Sequence, residues 1–417
     1  MKLTTSLRVG FFLAVRQIKR ANIWTSILIV SVMMLTFLNL IVVGGILVGI
    51  VDGVTKEKRE THTGDLIITD LDSRNSIRDT ATVENILNND DSVLTYTVRN
   101  IVGGIIEANY RTKKLNDTPN KLSVGIVGID PIKENETTGI KNKIALGEYL
   151  LEGDAQGVLV GWNLVEGLGQ TPDNTVKLLK NIEIGSKVQI EAGNNKKEYI
   201  VRGIIKSKID EVSRKVYMDK SELRKLSGAP DLNADEIAIK LKDPSQAENL
   251  RTTLLTAGIG EGAKIQTSKE AEPKFVSDVR TTFEMLGNII GGIGLVVASI
   301  TLFIVIFINA VTRRKYIGIL KGIGISSVSI EFSYILQALF YAILGSGLGL
   351  MVIYALLKPF FDAHPIDFPF SDVRMVAHLG ETLIKAGVLV AITTVAGYIP
   401  AKMIIRKNTL DSILGRN

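Results

Sequence analysis

The sequence predicts an α-helical membrane protein with four transmembrane helices and a large α+β extracytoplasmic domain inserted between helices 1 and 2. Three observations predict it. Four stretches, at about 23–51, 285–311, 332–357 and 386–401, contain no Asp, Glu, Lys or Arg. Uncharged apolar runs of that length match the roughly 30 Å of hydrocarbon in a bilayer and are foreign to soluble helices. Between the first two runs, from Lys56 to Arg280, the chain turns polar and nearly neutral, with 33 basic and 35 acidic residues. The net charge of +6 sits elsewhere: five basic and no acidic residues in Lys2–Arg20, four and none in Arg313–Lys321, and four against Asp411 from Lys402 onward. Short segments with such an excess stay in the cytoplasm. All three are therefore expected on that side, together with both termini.

The same distribution argues against nucleic acid as a partner, since no basic stripe interleaved with aromatics occurs. Absence of cysteine removes disulfides, zinc–thiolate sites and thiol nucleophiles together. The only histidines are His62, His364 and His378, with no HExxH pair, so no metal site is expected.

Taken in order, residues 1–22 read as a cytoplasmic anchor helix. Leu7, Phe11, Ala14, Val15 and Ile18 share a face, with Arg8, Arg16, Lys19 and Arg20 elsewhere. Residues 23–55 are transmembrane helix 1 and a stalk. The apolar run of about 29 residues exceeds a signal-peptide core, so it is read as uncleaved, and at 1.5 Å per residue it reaches about 43 Å, more than the bilayer needs.

The domain is predicted over 56–273. Gly64–Thr69 reads as a strand, Ala81–Asn88 as a helix, and Val93–Val98 and Ile101–Glu107 as strands; near its end, Glu236–Leu241 is strand, Pro244–Ala257 helix and Lys264–Thr267 strand. These two βαβ halves, 56–129 and 231–273, are expected to form one split subdomain. Residues 130–230, with strands at Val158–Val160, Lys187–Glu191, Tyr199–Ile205 and Lys215–Met218 and glycines at 157, 161, 167, 169, 185 and 203, read as an inserted, mainly β subdomain.

A stalk and transmembrane helix 2 follow at 274–311, continuous after Pro273, then a cytoplasmic segment at 312–329 and transmembrane helix 3 at 330–358. The outer loop, 359–381, carries Phe360, Phe361, Phe368 and Phe370, an interfacial aromatic belt or a lip for lipid-attached cargo. Transmembrane helix 4 is placed at 382–401 and a cytoplasmic tail at 402–417. Small residues four apart, Gly45 and Gly49, Gly287 and Gly291, Gly345 and Gly349, mark helix contacts within four packed helices or a dimer.

The 312–329 segment holds the most informative residues. In Arg313-Arg314-Lys315-Tyr316-Ile317-Gly318-Ile319-Leu320-Lys321-Gly322-Ile323-Gly324 the apolar positions Ile317, Leu320 and Ile323, with Ile319, form one stripe, a short helix along the membrane surface stopped by Gly322 and Gly324. This run resembles the (R/K)-x-E-I-G-I-L-(K/R)-A-(I/L)-G-A motif of the FtsX-like permeases, the ABC subunits of the MacB, FtsX and LolC/LolE types. Tyr316 stands where the family usually has Glu. The tail from Tyr398-Ile399-Pro400-Ala401 is similar to the family's terminal pattern, with Leu410 in place of its second Pro. The ectodomain runs SVGIVGID at Ser123–Asp130, GVLVGWNLVEGLG and YIVRGIIKS resemble the LolC/LolE branch in order and spacing.

The resemblance implies that Arg313, Arg314, Lys315, Tyr316, Ile317, Gly318, Leu320, Lys321 and Gly324 form a coupling helix that meets a cytoplasmic ABC ATPase. It also implies a dimer with a second permease copy or paralogue, ATP and Mg bound on the partner ATPase and not on this chain, and an inner-membrane location. The implied function is ATP-driven mechanotransmission that releases or exports lipoproteins or other envelope cargo from the outer leaflet. The alternatives are a MacB-like tripartite exporter requiring a periplasmic adaptor, and an FtsX-like module that switches a cell-wall hydrolase. The residues agree that this chain is no enzyme: it has no GxxxxGK(S/T), no G-x-S-x-G, no S-x-x-K set, and carboxylate pairs such as Asp90-Asp91 and Asp210-Glu211 lie in turn-like stretches. No ionisable group lies within the apolar runs to relay protons or sodium, and Asn39, Asn288, Asn309 and Gln337 read as interhelical hydrogen-bonding groups.

Overall fold

The chain opens with two helices, α1 (Leu3–Lys19) and α2 (Ile23–Lys58), in a computed structural model that describes residues 3–71, 76–111, 118–168, 177–228, 233–368 and 371–405. Asn22 starts α2 by accepting a hydrogen bond from the Trp24 amide at 2.9 Å. A π-helical turn, Arg59–Thr63, prolongs it to Gly64, whose φ of 64° ends the run. The tail beyond Ile405, Gly169 and Phe370 lie outside the described residues. Two units result, a helical one (up to Val51, Phe275–Phe368 and from Asp372) and an α/β one, chiefly Asp52–Lys274.

The α/β unit runs β1 (Leu66–Asp70), α3 (Thr80–Asn89), β2 (Val93–Ala108), β3 (Lys121–Ile129), α4 (Pro131–Thr138), β4 (Ile144–Gly147), β5 (Gly157–Gly161), β6 (Lys187–Ala192), β7 (Asn195–Ile205), α5 (Asp210–Ser213), β8 (Lys215–Asp219), α6 (Lys220–Ser227), β9 (Glu236–Leu241), α7 (Ala247–Thr256) and β10 (Ala263–Thr267). Its first part has strand order β10-β1-β9-β2, every neighbouring pair antiparallel, with Leu66 facing both Ile239 and Thr267. This is the interleaving of two βαβ units that the sequence suggests. Leu66, Ile68, Val83, Leu87, Ile239, Leu250 and Leu254 make its core. Each such side chain contributes about 1.5–3 kcal/mol by leaving water.

The second part closes on itself. Strands β2, β3, β8, β5, β7 and β6 pair in sequence, and β6 pairs back to β2, so six strands form a barrel. Its filling obeys the period of two: Val158 and Val160, Val188 and Ile190, Tyr199 and Val201, Val216 and Met218 meet inside. A second cluster on the other face, including Val127, Ile129, Leu159, Ile205 and Tyr217, is covered by Ile140, Leu150, Ile209 and Val212.

One boundary differs from the sequence reading. The two strands read at Val93–Val98 and Ile101–Glu107 are a single 16-residue strand, β2. Residues Val93–Arg99 pair with β9, and Asn100–Glu107 pair with β3. Asn100, between the two runs read as strands, is extended, and its side-chain amide donates to the Asn233 carbonyl at 2.8 Å. The join between the subdomains therefore falls inside β2 and not at 130.

The remaining helices are α8 (Lys274–Thr312), α9 (Arg314–Gly322), α10 (Ser327–Val352), α11 (Lys358–Ala363) and α12 (Leu379–Ile405), with paired strands β11 (Ile366–Phe368) and β12 (Ser371–Val373) before α12. Among the described residues, four helices are long and apolar enough to cross a membrane: those within Ile23–Thr63, Lys274–Thr312, Ser327–Ala363 and Leu379–Met403. Met33, Phe37 and Leu40 of α2, Ala298, Leu302 and Ile306 of α8, Tyr334 and Ala338 of α10 and Leu389 of α12 share one core. A face of small and polar residues of α1 packs lengthwise on α10 in the same direction: Ser6 meets Ser326, Gly10 meets Ser329 and Phe332, and Gln17 accepts from the Gln337 amide at 2.6 Å, while Leu7 and Phe11 of the face read as apolar are exposed.

Candidate functional site

Between the ends of α8 and α10 the chain makes the nine-residue helix α9, with Arg313 before it and Ile323 closing it. Two features stop the helix. Gly324 has a φ of 89°, which a glycine adopts without strain, and the Ile325 amide reaches back to the Leu320 carbonyl at 3.0 Å. Ser326 then caps α10 through the Ser329 amide at 3.3 Å.

The apolar residues of this segment divide between two faces. Ile317 and Gly318 are buried, and Ile317 and Leu320 join the core shared by the spans. Tyr316, Ile319 and Ile323 point away and are 70%, 51% and 71% exposed. The single stripe expected from the sequence is thus resolved into an anchoring face and a free one, because residues three and four apart share a face while 317 and 319 lie about 200° apart around the axis. Lys315 is exposed. The Lys321 ammonium donates to the carbonyl of Ile405 at the end of α12, which ties the helix to the last span. That contact links positions 84 apart and left no mark in the sequence. Arg313 turns to a polar cavity described below.

The paired glycines all lie at close contacts within the chain. A Cβ on Gly291 would run into Leu40, and one on Gly287 would stand 3.1 Å from the Cα of Gly44. A Cβ on Gly345 would strike Met33, and one on Gly349 would meet the Phe37 ring at 2.6 Å. Gly45 and Gly49 sit against the backbone carbonyls of Val376 and Arg374, just after β12. α2 is therefore approached closely by both α8 and α10 at glycine surfaces.

In the α/β unit the densest polar group is buried at the foot of α4. Arg99 (3% exposed) holds Glu134 (0%) through two hydrogen bonds of 2.9 and 2.6 Å and donates to Glu236 at 3.3 Å. Thr97 and Thr138 donate to the remaining lone pairs of Glu134 at 3.0 and 2.9 Å. Burial alone would raise the Glu134 pKa; the Arg99 charge and these hydrogen bonds outweigh it and hold the carboxyl below its usual range. His62 is buried alongside, its Nε2 3.5 Å from Glu236. The lining of this cluster leaves no room for a ligand, so its role is to hold the unit together. No group of three or more His, Asp or Glu suited to a metal occurs among the described residues.

A chain with four apolar helices and an α/β domain between the first two is a multi-pass membrane protein. Residues 288–409, from within α8 through α9, α10 and α11 to the end of α12, match the model of the FtsX-like permease C-terminal family. Among curated proteins it is similar to the macrolide export ATP-binding/permease protein MacB of Campylobacter fetus subsp. fetus, with 25% identity over 230 residues, 53% of this chain and 34% of the relative. The protein of the same name from Neisseria meningitidis serogroup A is 25% identical over 186 residues, 43% of this chain and 28% of the relative. The chain thus spans about a third of the length of these relatives. Among solved structures, the periplasmic region of MacB from Actinobacillus actinomycetemcomitans aligns with a TM-score of 0.35 and 17% identity, covering 52% of this chain and 94% of that one.

Proposed function

We propose that this chain is the membrane subunit of an ABC system in which a separate ATPase docks on α9 and drives the α/β domain through α2 and α8. The observation that carries this reading is the divided surface of α9. Ile317, Leu320 and the Lys321 contact fix the helix to the spans, while Tyr316, Ile319 and Ile323 offer an apolar knob of the kind that hot spots in protein interfaces use. ATP and Mg belong to the partner, since no P-loop occurs in these 417 residues. The orientation follows the basic segments, which place α1, α9 and both termini in the cytoplasm and the α/β domain outside.

For cargo, the names of the similar proteins favour macrolide export. Release of lipoproteins from the outer leaflet is the second reading. It is favoured by Phe360, 57% exposed and stacked on His364 in α11 and the turn after it, at the level where lipid-attached cargo would leave the bilayer. A second permease copy completes either assembly.

The docking test uses the exposed residues, because Gly318 and Leu320 are packed and their loss would confound folding with docking. Tyr316→Asp, Ile319→Asp and Ile323→Asp, together, are expected to abolish co-purification of the ATPase and leave the melting temperature of the permease in detergent within about 2 °C. Retention of the ATPase by this triple variant would overturn the assignment of α9.

A further inference from the structure

Where α1, α2, α8 and α10 meet near α9, the helical unit holds a polar cavity of ≈ 190 Å³. Arg313, Asn309, Gln17, Ser26, Tyr334 and Tyr341 are among its walls, and no Asp or Glu is. The Tyr334 side chain is 1% exposed and its hydroxyl has no hydrogen-bond partner among the described residues. Burying a phenol without a partner is unfavourable, so a donor–acceptor group belongs beside it. Arg313 makes no ion pair among the described residues.

An apolar groove of ≈ 460 Å³ adjoins this cavity and shares Ala21, Ser26 and Tyr341 with it. Ile23, Ile27 and Val30 of α2 form one wall, and Phe340, Leu344 and Leu348 of α10 the other. Those spacings of three and four are single helix faces, so the groove follows the helices for about 12 Å. At the end nearer the cavity lies Lys19, a second cation.

We propose that cavity and groove together bind one phospholipid with an acidic headgroup, its phosphate against Arg313 and the Tyr334 hydroxyl and an acyl chain between α2 and α10. Water could satisfy a lone hydroxyl, but water leaves the half-buried Arg313 charge and a continuous apolar slot unexplained. A helix from a second copy would fill the slot and bring no anion, because the apolar runs of this chain contain none. Inorganic phosphate would meet the cation and leave the slot empty. Only the naming of the leaflet as cytoplasmic rests on the orientation proposed above, and the site is independent of ATPase docking because Tyr316, Ile319 and Ile323 do not line it.

The test is native mass spectrometry of the delipidated full chain, titrated with phosphatidylglycerol and with phosphatidylethanolamine of identical acyl chains. Wild-type protein is expected to retain phosphatidylglycerol about tenfold more tightly. Arg313→Gln and Tyr334→Phe should each weaken it by about fivefold, and Leu344→Trp, which fills the slot, should do the same. Millimolar glycerol phosphate should not displace it. Equal retention of the two lipids by the wild-type chain, a measurement that needs no variant to fold, would sink the proposal. So would displacement by glycerol phosphate, which marks a free-anion site, or insensitivity to Leu344→Trp. Loss of lipid on adding a second copy would assign the groove to an interface between copies.

Discussion

Arg99 and Glu134 form a buried ion pair in the α/β domain. Both are buried and doubly hydrogen-bonded, so removing one charge leaves the other desolvated. Glu134→Gln is expected to cost about 3 kcal/mol, read as a shift of the urea midpoint of the full chain. The pH dependence has a definite sign. Since Glu134 in the folded chain titrates below an ordinary carboxylate, near 4.5, the unfolded chain takes up the proton first. Its stabilisation is complete above about pH 5 and is lost as pH falls below 4.5 toward the folded value. Melting temperatures measured between pH 7 and 3 should therefore fall below pH 4.5, with a shallower fall in Glu134→Gln. Nothing in the sequence pointed to this pair. The residues stand 35 apart, one on a strand and one on a helix, and only the packing of α4 on β2 makes them neighbours. The same is true of Tyr334, which reads as one more aromatic in an apolar run until the cavity around it is seen.

At the scale of elements, much more was legible. The spans announce themselves by the absence of charge, whereas α4 and α6, each capped by an Asp and ended by a Gly (Asp130 with Gly139, Asp219 with Gly228), fall in the stretch read as mainly β and were not anticipated. The glycine pairs were visible as a spacing; which helix each would meet was not, because spacing gives a face and not its neighbour. Gly345→Leu should force Met33 and the α2 backbone aside, an overpacking that costs about 1–3 kcal/mol. A lower melting temperature in detergent, with the α/β domain still protease-resistant, is the expected outcome. Helix α9 shows the limit of periodicity over a short run. With nine residues, Ile317, Ile319, Leu320 and Ile323 fit one broad stripe as well as two narrow ones, and contact with the spans decides between them.

For the whole molecule, the absence of cysteine makes topology directly measurable. Gln246→Cys, in the α/β domain, should react with a membrane-impermeant maleimide on spheroplasts, and Lys315→Cys, beside α9, only after lysis. The reverse pattern would invert the proposed orientation and remove the ATPase from α9. The four-span plan and the split βαβ arrangement could be read from hydropathy and element order alone. Closure of the barrel could not, since it depends on β6 finding β2 across a long sequence separation, and no residue pattern encodes which two edges meet.

Strand β2 has a practical corollary. Because one backbone serves both the βαβ sheet and the barrel, neither half is a detachable module. A chimera that grafts the outer half onto another scaffold must carry Asn100–Ala108 with it, and a splice at residue 130 would open the barrel along two seams at once. The same sharing makes heat melt both halves in a single calorimetric peak, and a protease nick within β2 would bring down the pair together.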